Sequence, residues 1–206
     1  MPVDLWLAFA AASAVLLVLP GPTILLVLSY ALSQGRRVAV AMALGVALGD
    51  LIAMTASLAG LGALVLASAT LFTALKWIGA AYLVWLGIRL FRSPPVLAED
   101  VGPAPRPARA VFGHAALVTA LNPKSIAFFI AFVPQFLRPE APLAPQFAVL
   151  IATFVSLAAL NALAYALLAD RLRAQIRRAA VLRWVTRAGG GALIGMGALT
   201  ASAARS

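Results

Sequence analysis

Two charged residues lie deep inside long apolar segments of this 206-residue sequence. Asp50 follows Arg37 by 13 residues, and Lys124 precedes Arg138 by 14 residues. At about 1.5 Å per helical residue, each side chain lies about 20 Å from its flanking arginine, near the middle of a lipid bilayer. A charge at that depth costs at least about 2.5–3.5 kcal/mol, and such groups usually pair, titrate or bind a ligand. We therefore expect Asp50 and Lys124 to form either a structural ion pair or a functional site.

Two proline motifs interrupt apolar segments near the same depth, and they read Leu19-Pro20-Gly21-Pro22-Thr23 and Leu121-Asn122-Pro123-Lys124-Ser125. Pro22 and Pro123 suit the first turn of a new half-helix, and Asn122 suits its N-cap. The positive ends of both half-helices then meet near the membrane centre, where they favour a carboxylate. The alternative is that the prolines only bend the helices for packing.

In the functional interpretation, Asp50 accepts a substrate ammonium group or a coupling proton, while Lys124 and the half-helix ends hold a carboxylate. Gly45 and Gly49, just before Asp50, predict a close helix–helix contact. Asn161 and Tyr165 lie four residues apart on one helix face, either joining helices or lining a cavity. The candidate substrate-binding residues are Pro20, Gly21, Pro22, Thr23, Asp50, Asn122, Pro123, Lys124, Asn161 and Tyr165, with Asp50 also the candidate proton-coupling residue.

The composition requires these residues to lie in a membrane protein. Hydrophobic residues make up 64% of the chain and charged residues 11%, with a mean hydropathy of +1.02. A soluble fold of this size cannot bury that much apolar surface. Cysteine is absent, and His114 is the single histidine, which excludes thiolate metal sites and leaves too few soft ligands for a zinc or copper centre. We therefore predict no resident metal and no cofactor.

We predict an all-α protein with six transmembrane helices at residues 5–33, 38–66, 71–91, 112–137, 144–169 and 186–203. Twelve arginines fall on one side of this arrangement, and only Arg138 and Arg205 fall on the other. The positive-inside rule then places both termini outside the cytoplasm. The net charge of +10 therefore faces anionic lipids and does not indicate nucleic-acid binding. Residues 171–187 mix leucine and isoleucine with arginine, which suits a topogenic loop or a basic surface helix.

The two proline motifs also suggest an internal repeat. Pro22 precedes Arg36 by 14 residues, the same distance that separates Lys124 from Arg138. We predict a first three-helix repeat at residues 1–92, a Pro-rich cytoplasmic linker at 93–110 and a second three-helix repeat at 111–206. Because three is odd, the second repeat is inverted relative to the first. Inverted repeats with broken helices, here the first and fourth, are typical of secondary transporters, whose site lies between the repeats.

Four segments together resemble the LysE/RhtB family of bacterial amino-acid exporters. They are residues 20–22 in the first span, 45–50 in the second, 79–87 in the third and 121–124 in the fourth. The resemblance covers nearly the whole chain and is closer to the RhtB-like branch. It implies proton-driven amino-acid export from the cytoplasm across a bacterial inner membrane. The arginine distribution then makes both termini periplasmic. The family residues carry over as Pro20, Gly21, Pro22, Asp50, Asn122, Pro123 and Lys124.

The leading prediction is a secondary exporter of small amino acids of the threonine, homoserine or branched-chain type. The alternatives are a basic amino-acid exporter and, ranked lower, a metal or inorganic-ion exporter, which would need several buried acidic or histidine side chains. An enzyme is disfavoured because His114 lies away from both motifs, and a purely structural protein because two charges lie within the membrane. The expected partners are an amino-acid substrate, protons and lipids, and the sequence leaves open whether the protein forms a homo-oligomer.

The topology can be tested because the chain contains no cysteine. We expect Pro103→Cys to react with an impermeant thiol reagent only from the cytoplasmic side, and Pro142→Cys only from the opposite side. Labelling is measured on intact cells and on inverted vesicles. Reaction of the residue-103 cysteine in intact cells would contradict the predicted orientation.

Overall fold

The computed structural model describes residues 1–19, 21–67, 69–92, 105–138, 141–176 and 179–203, and within these ranges it contains helices and no strand. The predicted all-α class is confirmed. Two 3₁₀ turns, Gly35–Val38 and Val133–Phe136, accompany eight α-helices. These are α1 (Val3–Val18), α2 (Pro22–Gln34), α3 (Ala39–Ala67), α4 (Ala69–Arg92), α5 (Ala108–Ala120), α6 (Pro123–Ala131), α7 (Leu143–Ile176) and α8 (Ala179–Ala203).

Both predicted helix breaks are present. α1 ends at Val18 and α2 begins with Pro22 at its first position, whereas Pro20 lies outside the described residues. α5 ends at Ala120, and α6 begins with Pro123. Asn122 is the N-cap of α6, and its side chain accepts a hydrogen bond from the Lys124 N–H at 3.1 Å. The axis bends by 45° between α5 and the segment that α6 begins. Pro22 and Pro123 each occupy the first position of a helix, where an N–H group would have no partner within the helix.

Several helices have the length and composition to cross a bilayer. The stretches Pro22–Gly62 and Leu143–Ala169 qualify, and the bent pair of Ala108–Ala120 and Pro123–Phe136 makes a third if it is one span. Large apolar side chains also cover the outer faces, as at Leu44, Ile52, Ile78 and Leu160. The protein is therefore a multi-pass membrane protein, while the arrangement of six spans stays a prediction.

Glycines allow a close helix contact between α3 and α5. A Cβ atom at Gly45 would lie 2.5 Å from the carbonyl oxygen of Phe112, and one at Gly49 would lie 2.5 Å from that of Ala116. The two backbones therefore touch, as the spacing of these glycines predicts. In the same way, Gly87 of α4 packs on the backbone of Gly190 in α8.

Aromatic side chains of α1, α6 and α7, with Phe136, form one part of the buried core. Phe128 and Phe129 of α6 pack on Phe154 of α7, with ring centroids 5.9 and 4.8 Å apart. Phe9 of α1 packs edge-on against Phe136, which follows α6. α3 packs on α5, α6 and α7, and α7 in turn packs on α1 and α2. These contacts bring the two broken segments together.

The predicted fifth span, residues 144–169, agrees with the apolar stretch Leu143–Ala169, but the helices extend beyond the predicted span limits at residues 169 and 186. α7 continues to Ile176 and α8 already begins at Ala179. Residues 171–176 and 179–187 therefore belong to the two long helices and do not form a separate surface helix. Because arginine and alanine favour the helix, and residues 171–187 contain neither glycine nor proline, helical structure extends beyond the apolar segments.

The glycine contact predicts the effect of adding one methyl group. Gly49→Ala places a Cβ against backbone that cannot move aside, so we expect a loss of about 1–3 kcal/mol in unfolding free energy. Gly60→Ala in the same helix is the matched control, because a Cβ there has no neighbour within 4 Å. Unfolding of both purified variants in detergent measures the difference. Equal midpoints would contradict the α3–α5 contact.

Candidate functional site

The break after α1 frees the carbonyl oxygens of Leu16, Leu17, Val18 and Leu19 from the i+4 hydrogen bonds of a continuous helix. Leu16 retains one backbone bond, from the Leu19 N–H at 3.3 Å. A bilayer offers no water to solvate them. Side chains from α6 and α7 donate to all four. The end of α1 is therefore capped by residues more than 100 positions away in the sequence.

Lys124, in the first turn of α6, provides two of these bonds. Its ammonium group donates to the carbonyl oxygens of Leu16 at 3.0 Å and Leu19 at 2.9 Å. The carboxyl end of a helix carries a partial negative charge, so a cation is stabilised there. An ammonium group has three N–H donors, and these two bonds leave one for another acceptor.

Asn161 and Tyr165 of α7 provide the other two bonds. The Asn161 side-chain amide donates to Leu17 at 3.0 Å, and the Tyr165 hydroxyl donates to Val18 at 2.9 Å. The interpretation of this pair as a connection between helices is therefore confirmed. Asn161 also lines the cavity described below, so both interpretations hold for it.

The amino ends of α2 and α6 meet beside this cap. Thr23 lies in the first turn of α2, and its hydroxyl accepts a hydrogen bond from the Asn122 amide at 3.1 Å. The same hydroxyl lies 3.4 Å from that of Thr119, at the end of α5. All three side chains are buried. The predicted approach of the two half-helix ends is therefore present, and a buried polar cluster joins them.

Asp50, which lies in α3, is the acidic residue of the site. Its side chain is only 2% exposed, and its Oδ1 atom has no hydrogen-bond partner. Asp50, Thr23, Asn122, Lys124 and Asn161 line one cavity of about 20 Å³. A polar cavity of that size has room for about one water molecule. The carboxylate and the ammonium group thus share a small polar cavity inside an apolar protein.

The remaining candidates lie around this cavity. Gly21 packs against the Lys124 side chain, and a Cβ added there would lie 3.2 Å from the ammonium nitrogen. Pro22 and Pro123 are exposed and act by starting the half-helices. Pro20 lies outside the described residues. Across the described ranges, no three His, Asp or Glu side chains come together as metal ligands.

Sequence reasoning missed two features. Thr119 was not a candidate, although its place three residues before Asn122 puts it near the second break. The sequence also suggested no partner for His114. In the structure its Nδ1 atom lies 2.9 Å from the hydroxyl of Tyr30, which is fully buried in α2. A tyrosine in an apolar helix needs a hydrogen-bond partner, which was the available signal.

Comparisons with known proteins identify the family of the chain. The sequence model of the LysE type translocator family matches residues 14–203. An uncharacterized membrane protein of Vibrio cholerae is 36% identical over 203 residues, covering 98% of this chain and 99% of the relative. A homoserine/homoserine lactone efflux protein of Salmonella typhimurium is 33% identical, covering 98% of each chain. A leucine efflux protein of Klebsiella pneumoniae is 29% identical over 66% of this chain and 65% of the relative.

No solved structure matches the chain. The family match covers far more than half of the sequence, and the broken helices and the buried charges lie within it. The chain belongs to the LysE type translocator family. It is therefore a transmembrane translocator, with efflux proteins for amino acids and their derivatives among its relatives.

The cap predicts a stability effect of the Tyr165 hydroxyl. Tyr165→Phe leaves the carbonyl oxygen of Val18 without its donor, so we expect a loss of about 0.6–1.7 kcal/mol, the range of hydrogen bonds between membrane helices. Tyr82→Phe is the matched control, because Tyr82 packs on Trp85 in α4, away from the end of α1. Thermal unfolding in detergent measures both variants. An equal loss in the two variants would argue against the cap.

Proposed function

We propose that this protein exports small amino acids of the threonine, homoserine or branched-chain type from the cytoplasm and catalyses no chemical reaction. Export is driven by protons entering in exchange. The family membership and the efflux relatives support this function. The observation that carries it is the cavity in which a buried carboxylate and a buried ammonium group lie beside two half-helix ends.

Asp50 binds the coupling proton and the substrate ammonium group in turn. A carboxylate with an unpaired oxygen is costly at membrane depth, so Asp50 needs a proton or a cation beside it. A proton on Asp50 and an ammonium group beside it are therefore alternatives. Such alternation couples uptake of a proton to release of the substrate.

The substrate carboxylate binds on the opposite side of the cavity. There the amino ends of α2 and α6 provide positive partial charge. Lys124 keeps one N–H group beyond its two bonds to α1 and donates it to the carboxylate. Thr23, Asn122 and Asn161 then contact the backbone atoms of the amino acid, a set that suits amino acids without charged side chains.

Transport requires the site to open, because a cavity of about 20 Å³ is too small for an amino acid. We propose that two inverted three-helix repeats move against each other and expose the site to one side of the membrane at a time. The packing supports this symmetry: α3 packs on its repeat equivalent α7, and α4 on α8. Likewise, α3 contacts α5 and α6 as α7 contacts α1 and α2.

The proposed function includes an orientation of the protein in the membrane. Six spans cross the bacterial inner membrane, with both termini in the periplasm and the linker at 93–110 in the cytoplasm. The arginine distribution supports this orientation. The exposed tryptophans 85 and 184 suit contact with lipid. Nothing in this mechanism requires more than one copy of the chain.

Efflux from reconstituted vesicles tests the roles of the two charges. Homoserine, leucine and lysine are compared with and without a proton gradient, using wild type, Asp50→Asn, Lys124→Met and the double variant at equal protein abundance. We expect gradient-driven efflux of homoserine or leucine by wild type. We expect all three variants to lose it, at least tenfold, because each lacks a group that binds the proton or the substrate.

The double variant separates transport from structure, since a double-mutant cycle measures the coupling of two residues. If the charges only neutralise each other, removing both restores efflux. Near-normal efflux by the double variant would thus contradict the proposed roles. Efflux of lysine in preference to the other two would instead identify a basic amino-acid exporter.

A further inference from the structure

The ammonium group of Lys124 lies where broken helices of other transporters hold a metal cation. At such breaks, carbonyl oxygens at the carboxyl end of a half-helix coordinate the ion. Here two carbonyl oxygens of that kind, from Leu16 and Leu19, lie 3.0 and 2.9 Å from the Lys124 nitrogen. The cation at this break is therefore a side chain.

The groups around this position are those of a cation site. Both carbonyl oxygens accept hydrogen bonds from the nitrogen, and the end of α1 adds its partial negative charge. The buried carboxylate of Asp50 lines the same cavity and keeps one oxygen unpaired. The cavity also has room for about one water molecule. Two carbonyls at the nitrogen, with one carboxylate and room for one water molecule in the adjoining cavity, are hard oxygen groups, which suit a monovalent cation such as Na⁺.

The neighbouring residues define this site. The other two carbonyls at the end of α1 are occupied, because Asn161 and Tyr165 donate to Leu17 and Val18. Only Leu16 and Leu19 thus face the cation. At position 21 a Cβ would lie 3.2 Å from the Lys124 nitrogen, so glycine leaves the space that the ammonium group fills.

We propose that Leu16, Leu19 and Asp50 form a binding site for a monovalent cation, which the Lys124 ammonium group fills as a tethered ion. The proposal rests on the proposed function in one respect: during transport the substrate ammonium group binds at the Asp50 side of this site, while Lys124 keeps its two bonds to α1. The protein then needs no Na⁺, because its own lysine provides the charge that stabilises the break.

Removing the tethered ion should create a Na⁺ site. We expect purified Lys124→Ala to bind Na⁺ between the two carbonyls and Asp50, and to be stabilised by it. The measurement is thermal unfolding in detergent in NaCl and in choline chloride at equal concentration. At ten times the dissociation constant, the transition should rise by about 3–6 °C in NaCl. Wild type should unfold at the same temperature in both salts.

The matched control is Asp50→Asn combined with Lys124→Ala, which keeps the carbonyls but removes the carboxylate. We expect it to show no difference between the two salts. A rise in NaCl that is equal in all three proteins is a general salt effect and would overturn the proposal. Absence of any Na⁺ effect in folded Lys124→Ala would overturn it equally.

A second measurement covers the case in which Lys124→Ala unfolds in choline chloride. The variant is then extracted in sodium chloride or in methylammonium chloride. Either cation should restore a monodisperse peak in size-exclusion chromatography, because each replaces the missing ammonium group. Failure of both would reject the site. These measurements do not depend on transport. If Lys124→Ala responds to Na⁺ but the wild type shows no amino-acid efflux, only the proposed function is rejected.

Discussion

The unpaired carbonyl oxygens at the end of α1 are the constraint on which this structure depends. A helix that ends inside a bilayer must find donors within the protein, because lipid provides none. Here the donors come from α6 and α7, through Lys124, Asn161 and Tyr165. The cap therefore fixes the place of α1 against the second half of the chain. It also brings a lysine into the membrane interior, where the carboxylate of Asp50 balances its charge.

The second break follows from the sequence more readily than the first. Asn122 and Pro123 cap and start α6 with contacts to their immediate neighbours, so local preferences predict them. The donors to α1 lie 105 to 147 residues away. Helical spacing placed Asn161 and Tyr165 on one face but contained no information about which helix end that face meets. Such partners depend on tertiary packing, which periodicity does not encode.

The predicted depth of Lys124 in the membrane marked it as a candidate site residue, but it did not identify the groups that the lysine contacts. A charge far from both surfaces must be stabilised, and the sequence offered Asp50 or a substrate for that purpose. A sequence does not show which backbone carbonyls bind a side chain, since every residue has one. The structure adds this third kind of partner, and the lysine contacts two of them. The helix-breaking motif was itself the indication, because a broken helix always exposes such oxygens.

The contact between α3 and α5 has a mechanical consequence. At Gly45 and Gly49 no side chain separates the two backbones, so the helices are in direct backbone contact there. Asp50 follows Gly49 and is therefore held against the helix that precedes the second break. Lys124 lies beyond the bend that follows α5. Any hinge motion at that bend therefore changes the distance between the opposite charges of Asp50 and Lys124. Because the surrounding dielectric constant is low, this displacement requires or releases electrostatic work.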